Sequence, residues 1–248
     1  MNTTPDRRDP PQTGVILLTT AEAPVRDLLW APLCGRPLCV WALDACLAAR
    51  QHDTSIGAIA LVVAPERLAE ADALVNAYGW PRIAVVAATE EQRLAALRAG
   101  LAALETASPG CEWILMLDGA RPLVTQALIA AGLTVIRDHP DAVAVATEPV
   151  KETLKHVQGE RVVETLPRDR LARAQTPYVF RRTDLLRAVA LAEADGAPGG
   201  ELALARAAGL LLIAYPGSHE NLLATNTTDL PILAALLDAR LKARETGS

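Results

Sequence analysis

Short apolar runs alternate with longer Ala/Leu-rich stretches along this chain, and that alternation restricts it to βαβ units around a mainly parallel sheet. The spacing predicts strands at Val15–Thr19, Ile56–Val63, Ile83–Val86, Trp113–Leu117, Ala142–Ala146 and Leu210–Ala214. Helices are predicted at Leu38–Ala49, Glu66–Ala77, Glu90–Glu105, Thr125–Asp138, Thr183–Ala194 and Asp229–Arg244. Right-handed crossovers then place every strand C-terminus on one side, the side where ligands of open α/β sheets gather.

One strand ends in chemistry. In W-I-L-M-L-D-G-A-R-P, Trp113 to Pro122, an apolar run delivers a single carboxylate, Asp118, into Gly, Ala, Arg and Pro. A buried parallel strand presents a metal ligand in this way. The same residues also suit a plain helix start, with Asp118 as N-cap and Pro122 in the first turn, and both readings stand at this point.

Composition narrows the function classes. A chain of 248 residues is long enough for one large α/β domain, placed at 14–248 after a polar, Pro-rich tail at 1–13 expected to be disordered. Hydrophobic residues make up 51% and aromatics 3%, which predicts an aliphatic core and disfavours base-stacking platforms. A net charge of −5 argues against a nucleic-acid groove. Lysine occurs only at Lys151, Lys155 and Lys242, so arginine supplies nearly all the cationic chemistry. Cys34, Cys39, Cys46 and Cys111 have no C-x-x-C spacing and are assigned neither disulfide nor metal. No apolar leader or membrane-length run interrupts the pattern, so the expected location is the cytoplasm, with no membrane partner.

Between Val150 and Glu164 the pattern changes, because polar and apolar residues alternate around Gln158-Gly159. This predicts a hairpin arm over 150–164, which on its residues alone reads as an ordinary surface hairpin.

Several segments occur in the order of one known family. Gly35-Arg36-Pro37-Leu38, Glu91-Gln92-Arg93 followed by Gly100-Leu101, Asp118 and Arg121 of D-G-A-R-P, Pro149 to Lys155, Gln175-Thr176-Pro177, and Glu220-Asn221 followed by Asp229-Leu230 together resemble the 2-C-methyl-D-erythritol 4-phosphate cytidylyltransferases. The resemblance implies a single Rossmann-like nucleotidyltransferase domain that transfers CMP from CTP to a small phosphorylated polyol, releasing pyrophosphate. It implies Mg2+ on Asp118 and Glu220, nucleotide contacts from Thr20, Arg93, Asp118 and Arg121, and catalytic roles for Arg26 and Asp118. It assigns the polyol phosphate to Thr153, Lys155 and Arg168, with Arg170 competing for the last role. It also implies a homodimer in which the hairpin arm completes the partner's pocket.

The chain departs from the family where the triphosphate would lie. Thr19 to Arg26 contains no glycine, Pro24 lacks an amide donor, and Glu22 adds negative charge. Arg26 is the one cation before Arg36 that can replace the family's first lysine, and Leu223 stands at the position of the second. Ala96 replaces a serine, Ala87-Ala88-Thr89 replaces a glycine pair, and Gly199-Gly200-Glu201 keeps one acid of the family's T-D-E. Three readings follow: an active cytidylyltransferase, a degenerate binding or regulatory protein on the same fold, and a nucleotide-sugar enzyme. The last is weakened by the absence of a second acid beside Asp118.

Overall fold

In the computed structural model, described for residues 13–20, 25–88, 93–195 and 200–246, the alternating pattern becomes a seven-stranded sheet. In chain order the elements are β1 (Thr13–Leu18), α1 (Val25–Trp30), β2 (Pro32–Leu33), β3 (Arg36–Pro37), α2 (Leu38–His52), β4 (Ile56–Val63), α3 (Leu68–Tyr78), β5 (Ile83–Ala87) and α4 (Arg93–Ala107). They continue through β6 (Trp113–Asp118), α5 (Gln126–Asp138), β7 (Ala142–Pro149), β8 (Lys155–Gln158), β9 (Arg161–Thr165), β10 (Ala172–Arg181), α6 (Arg182–Asp195), α7 (Glu201–Ala207), β11 (Leu211–Pro216) and α8 (Leu230–Thr246). The sheet order is β11-β7-β10-β6-β1-β4-β5. Thr13, read from the sequence as tail, is the first residue of β1 and pairs with Ile56 and Trp113. The rest of the tail, 1–12, lies outside the described residues.

Strand alternation gives the sheet two buried faces. Val15, Leu17, Leu115 and Leu117 pack under α2, α3, α5 and α8, while Ile16, Leu18, Ile114, Met116 and Phe180 pack under α4, α6 and α7. Asp118 continues the second set, two residues beyond Met116. That register decides which helices can reach its carboxylate.

The apolar-run reading assigns no strand to 172–181, and this is its main error. β10 enters the centre of the sheet antiparallel to both β6 and β7, whereas all the other pairs in the sheet are parallel. Its first half, A-R-A-Q-T-P, lacks an apolar run and carries Pro177, a residue that normally argues against a central strand. The pairing with β7 accommodates Pro177 through a register shift between Gln175 and Tyr178. The C-termini of the strands therefore do not all share one side.

Away from the sheet, Asp53 ends α2 and ties it to α5. Its carboxylate accepts from the Ser55 amide (3.0 Å), the Ser55 hydroxyl (2.6 Å) and Arg137 (2.6 Å). Burial pushes this carboxyl up, but Ser55 and Arg137 outweigh it and hold it below the usual carboxylate range. A depressed folded-state pKa stabilises above the unfolded value and is lost as pH falls through the folded one. Asp53→Ala is accordingly expected to cost about 1.5–3 kcal/mol at pH 7, the range of charge-assisted hydrogen bonds, and less below about pH 4. Chemical denaturation of both proteins at pH 7 and pH 3.5 measures the difference.

Of the cysteines, Cys39, Cys46 and Cys111 are buried, Cys34 is exposed, and all four are free. Burial raises the Cys39 and Cys46 thiols to about 12, which leaves them unreactive.

Candidate active site

Asp118 leaves the end of β6 with its backbone and side chain already engaged. Its amide donates to Thr176 Oγ1 (3.2 Å), and its Oδ1 accepts from the Ala120 amide (2.9 Å). The helix start of the plain reading does not form, because 119–120 and 122–123 are turns and α5 begins at Gln126 with Thr125 as its N-cap; the Ala120 contact closes a turn and uses one carboxylate oxygen only. The other, Oδ2, lies 3.8 Å from Arg93 Nη2, beyond hydrogen-bonding distance.

Gly119 lets the end of β6 press against the end of β1. Its amide donates to Leu18 O (2.8 Å), and a Cβ there would meet Thr19 Cγ2 at 2.8 Å and the Leu18 carbonyl at 3.1 Å. Thr19 is anchored in turn, its amide and hydroxyl both donating to Val62 O. Buried Thr20 follows. Residues 21–24, with Glu22 and Pro24, lie outside the described residues; the chain resumes in α1, where the Arg26 guanidinium lies 3.9 Å from Asp27. Glu91 and Gln92 also lie outside, but Arg93 opens α4 on the Asp118 face.

Arg93, Arg121, Tyr178 and Glu201 gather around Asp118. Arg93 Nε donates to Glu201 Oε1 at 2.5 Å, and the Glu201 side chain is only 6% exposed. Burial lowers the Arg93 pKa, but Glu201 and Asp118 outweigh it and hold the guanidinium above its usual range. Arg121 Nη1 donates to Asn221 O at 2.6 Å. For Arg121 burial wins: it pulls the pKa down, assisted by the like charge of Arg173, against the opposing pull of Asp118. Tyr178 stands opposite Met116 on the same face of the sheet, and burial with the nearby Glu201 charge raises its phenol to about 12. It is a neutral hydroxyl at pH 7.

The sequence reading missed Tyr178, Thr176 and Asn221 as parts of this site. Asn221 is fully buried, its side-chain amide donates to Thr176 O (2.8 Å), and Ala224 N donates to Ala120 O (2.8 Å), so the 220s loop braces the end of β6. The Q-T-P-Y register against β6 was the available signal, hidden by the unassigned strand.

Glu220 points elsewhere. Its Oε2 accepts from Arg240 Nε (3.1 Å) and Nη2 (2.7 Å), and Arg240 Nη1 is fixed on Leu123 O (2.6 Å). Hydrogen bonding to Arg240 is the largest influence holding the Glu220 carboxyl below its usual range. Leu223, in the place of the family's second lysine, is exposed. Among the described residues no cluster of three or more His, Cys, Asp or Glu side chains converges. Magnesium does not need one, because one or two carboxylates suffice when phosphate oxygens and water complete the octahedron. Asp118 Oδ2 suits that role, whereas the Glu220 carboxylate is already neutralised by Arg240. Asn221 Oδ1, buried without a hydrogen-bond partner, is a further oxygen in this loop.

Lys155 opens β8, Thr153 lies two residues before it and Arg168 follows β9, and among the described residues none of the three bonds to this cluster. Lys155 Nζ donates to Thr165 Oγ1 (2.6 Å), Arg168 Nη1 donates to Lys151 O (2.6 Å), and Thr153 is exposed. Arg170 ends the same short turn as Arg168. Among the described residues, none of these four hydrogen-bonds or ion-pairs with Asp118, Arg93 or Arg121 of its own chain. The hairpin, β8 paired with β9, forms a separate two-stranded sheet whose residues are all exposed.

The sequence matches the family profile of 2-C-methyl-D-erythritol 4-phosphate cytidylyltransferase over residues 23–239. It is 33% identical over 216 residues to the cytidylyltransferase of that name from Dehalococcoides mccartyi, covering 86% of this chain and 88% of the relative. It is 37% identical over 212 residues to that of Cereibacter sphaeroides, covering 84% and 87%. The fold matches the crystal structure of 4-diphosphocytidyl-2C-methyl-D-erythritol synthase from Anaerococcus prevotii with a TM-score of 0.79 at 20% identity, over 92% of this chain and 99% of that one. With the strand-end aspartate, its two flanking arginines and the separate hairpin in the same chain, these similarities place the protein in the 2-C-methyl-D-erythritol 4-phosphate cytidylyltransferase family.

Proposed function

We propose that the protein is a Mg2+-dependent cytidylyltransferase that joins the phosphate of 2-C-methyl-D-erythritol 4-phosphate to the α-phosphorus of CTP and releases pyrophosphate. The observation that carries this reading is Asp118, held at the end of β6 with one carboxylate oxygen fixed and the other beyond hydrogen-bonding distance of Arg93. Catalysis of this kind is positioning and charge stabilisation, without a covalent step by the protein. Asp118 would hold the metal, which would neutralise phosphate charge; Glu220 could join only by leaving Arg240. Thr20, Arg26, Arg93 and Arg121 are the nucleotide-side groups, with Arg26 in place of the absent lysine. Calorimetric titration of CTP with Mg2+, followed by a pyrophosphate-release assay with the polyol phosphate, tests the reading. Absence of binding at millimolar CTP would sink it.

The acceptor side requires a second copy of the chain. Thr153, Lys155 and Arg168 have no bond to the Asp118 cluster of their own chain, and the arm exposes Leu154, Val157, Val162 and Val163, with Val162 at 62%. A two-stranded ribbon with such a surface is marginal alone and gains from a partner. The arm therefore reaches a second subunit and carries those three residues to its site. The double substitution Val157→Asp/Val162→Asp is expected to shift a dimer to monomer in sedimentation velocity and to raise KM for the polyol phosphate at least ~10-fold, the scale of about 1.4 kcal/mol. Unchanged sedimentation would remove the arm from the interface.

A second reading, a nucleotide-binding relative without transfer activity, is favoured by the Glu220–Arg240 pair and by exposed Leu223 in the lysine position. Binding of CTP with no pyrophosphate release would select it.

A further inference from the structure

Glu201 is a buried carboxylate to which the reaction outlined above gives no part. It enters the site as the first residue of α7, and among the described residues its ion-pair partner is Arg93. Arg93 in turn stands between two carboxylates at unequal distances: 2.5 Å from Nε to Glu201 Oε1 and 3.8 Å from Nη2 to Asp118 Oδ2. A flexible cation this close to Asp118 would close on it if nothing else claimed its charge, because charge-assisted hydrogen bonds strengthen sharply below about 3 Å. The second arginine of the site is tethered in the same manner, Arg121 donating to Asn221 O at 2.6 Å rather than to Asp118. Both cations beside Asp118 are thus held by other acceptors, and Asp118 Oδ2 keeps its lone pairs.

We infer that Glu201 is a positioning residue that holds Arg93 back from Asp118, keeping Asp118 Oδ2 free for a divalent cation and the phosphate it carries. A metal ion and a guanidinium compete for the same oxygen, and outer groups that orient such a competitor tune metal affinity. Glu201 fixes the balance through Arg93 and does not itself touch the metal. The inference rests on the metal role assigned to Asp118 for its functional consequence, but its geometric core does not.

Two measurements separate those parts. The first is a crystal structure of metal-free Glu201→Gln, in which Arg93 Nη2 is expected to move to hydrogen-bonding distance of Asp118 Oδ2; a gap still near 3.8 Å overturns the inference whatever the protein catalyses. The second is Mn2+ binding read by electron paramagnetic resonance, compared between variants without nucleotide because Arg93 is itself a nucleotide-side group. Glu201→Gln is expected to weaken it by about 10-fold or more, and Glu201→Gln/Arg93→Gln to bind more tightly than Glu201→Gln, since no guanidinium remains to compete. Equal affinities for wild type and Glu201→Gln, or a double variant as weak as the single one, overturn the inference. Wild type that fails to bind Mn2+ even when CTP is added would instead sink the transferase reading and leave the crystallographic contact to decide this one. Should Glu201→Gln not fold, Glu201→Asp keeps the charge but shortens the reach, and the same closure of Arg93 on Asp118 is expected in its crystal structure.

Discussion

Asp118→Asn is expected to lower the rate of pyrophosphate release by about 10²–10³-fold or more, the cost of removing one preorganised charged group from a transferase site. The fold should survive. Asparagine keeps an oxygen for the Ala120 amide, now 2.9 Å from Oδ1, and the backbone bond to Thr176 does not involve the side chain. What disappears is the charge on the oxygen that faces Arg93 without a hydrogen bond. The measurement is steady-state pyrophosphate release with CTP and the polyol phosphate, alongside a thermal melt. A variant with unchanged Tm and unchanged rate would remove Asp118 from the chemistry and return it to the role of a turn cap.

Arg93→Ala should produce the second large effect, this time on stability. Glu201 is nearly inaccessible, and removing its cation leaves a buried carboxylate without compensation. Breaking a buried pair from one side costs about 3–5 kcal/mol. Arg93 itself is 32% exposed, so water can enter the space it vacates and the cost should fall near the lower end. For a chain of this size that corresponds to a Tm fall of roughly 6–12 °C, at about 2–4 °C per kcal/mol. Thermal melts of both proteins decide the matter, and a gap below about 1 kcal/mol would mean that the pair behaves as a surface salt bridge.

Arg93 was legible as a residue of the site because it lies in a segment resembling the family, but its partner was not. Glu201 is 108 positions away in the sequence and opens a helix that the apolar pattern does not announce. Asp118 could be found from its own neighbourhood, since an apolar run, a carboxylate and a glycine are local features. Glu220 shows the opposite case. Its position in the chain pointed to a metal ligand, whereas the tertiary structure supplies Arg240, 20 residues on, to take its charge. Tyr178 and Thr176 remained hidden for a further reason: their place beside Asp118 follows from the pairing of β10 with β6, and a proline-containing, half-polar strand gives no periodic signal for that pairing.

By itself the sequence determined the βαβ alternation, the position of Asp118 at a strand end and the hairpin arm, because each depends on residues that are neighbours along the chain. Only the tertiary structure decided that β10 runs antiparallel through the middle of the sheet, that Glu201 rather than Asp118 binds Arg93, and that Glu220 turns to α8. Those outcomes are choices among competing partners of similar chemistry, and the choice is made by distance and burial, which exist only once the chain has folded.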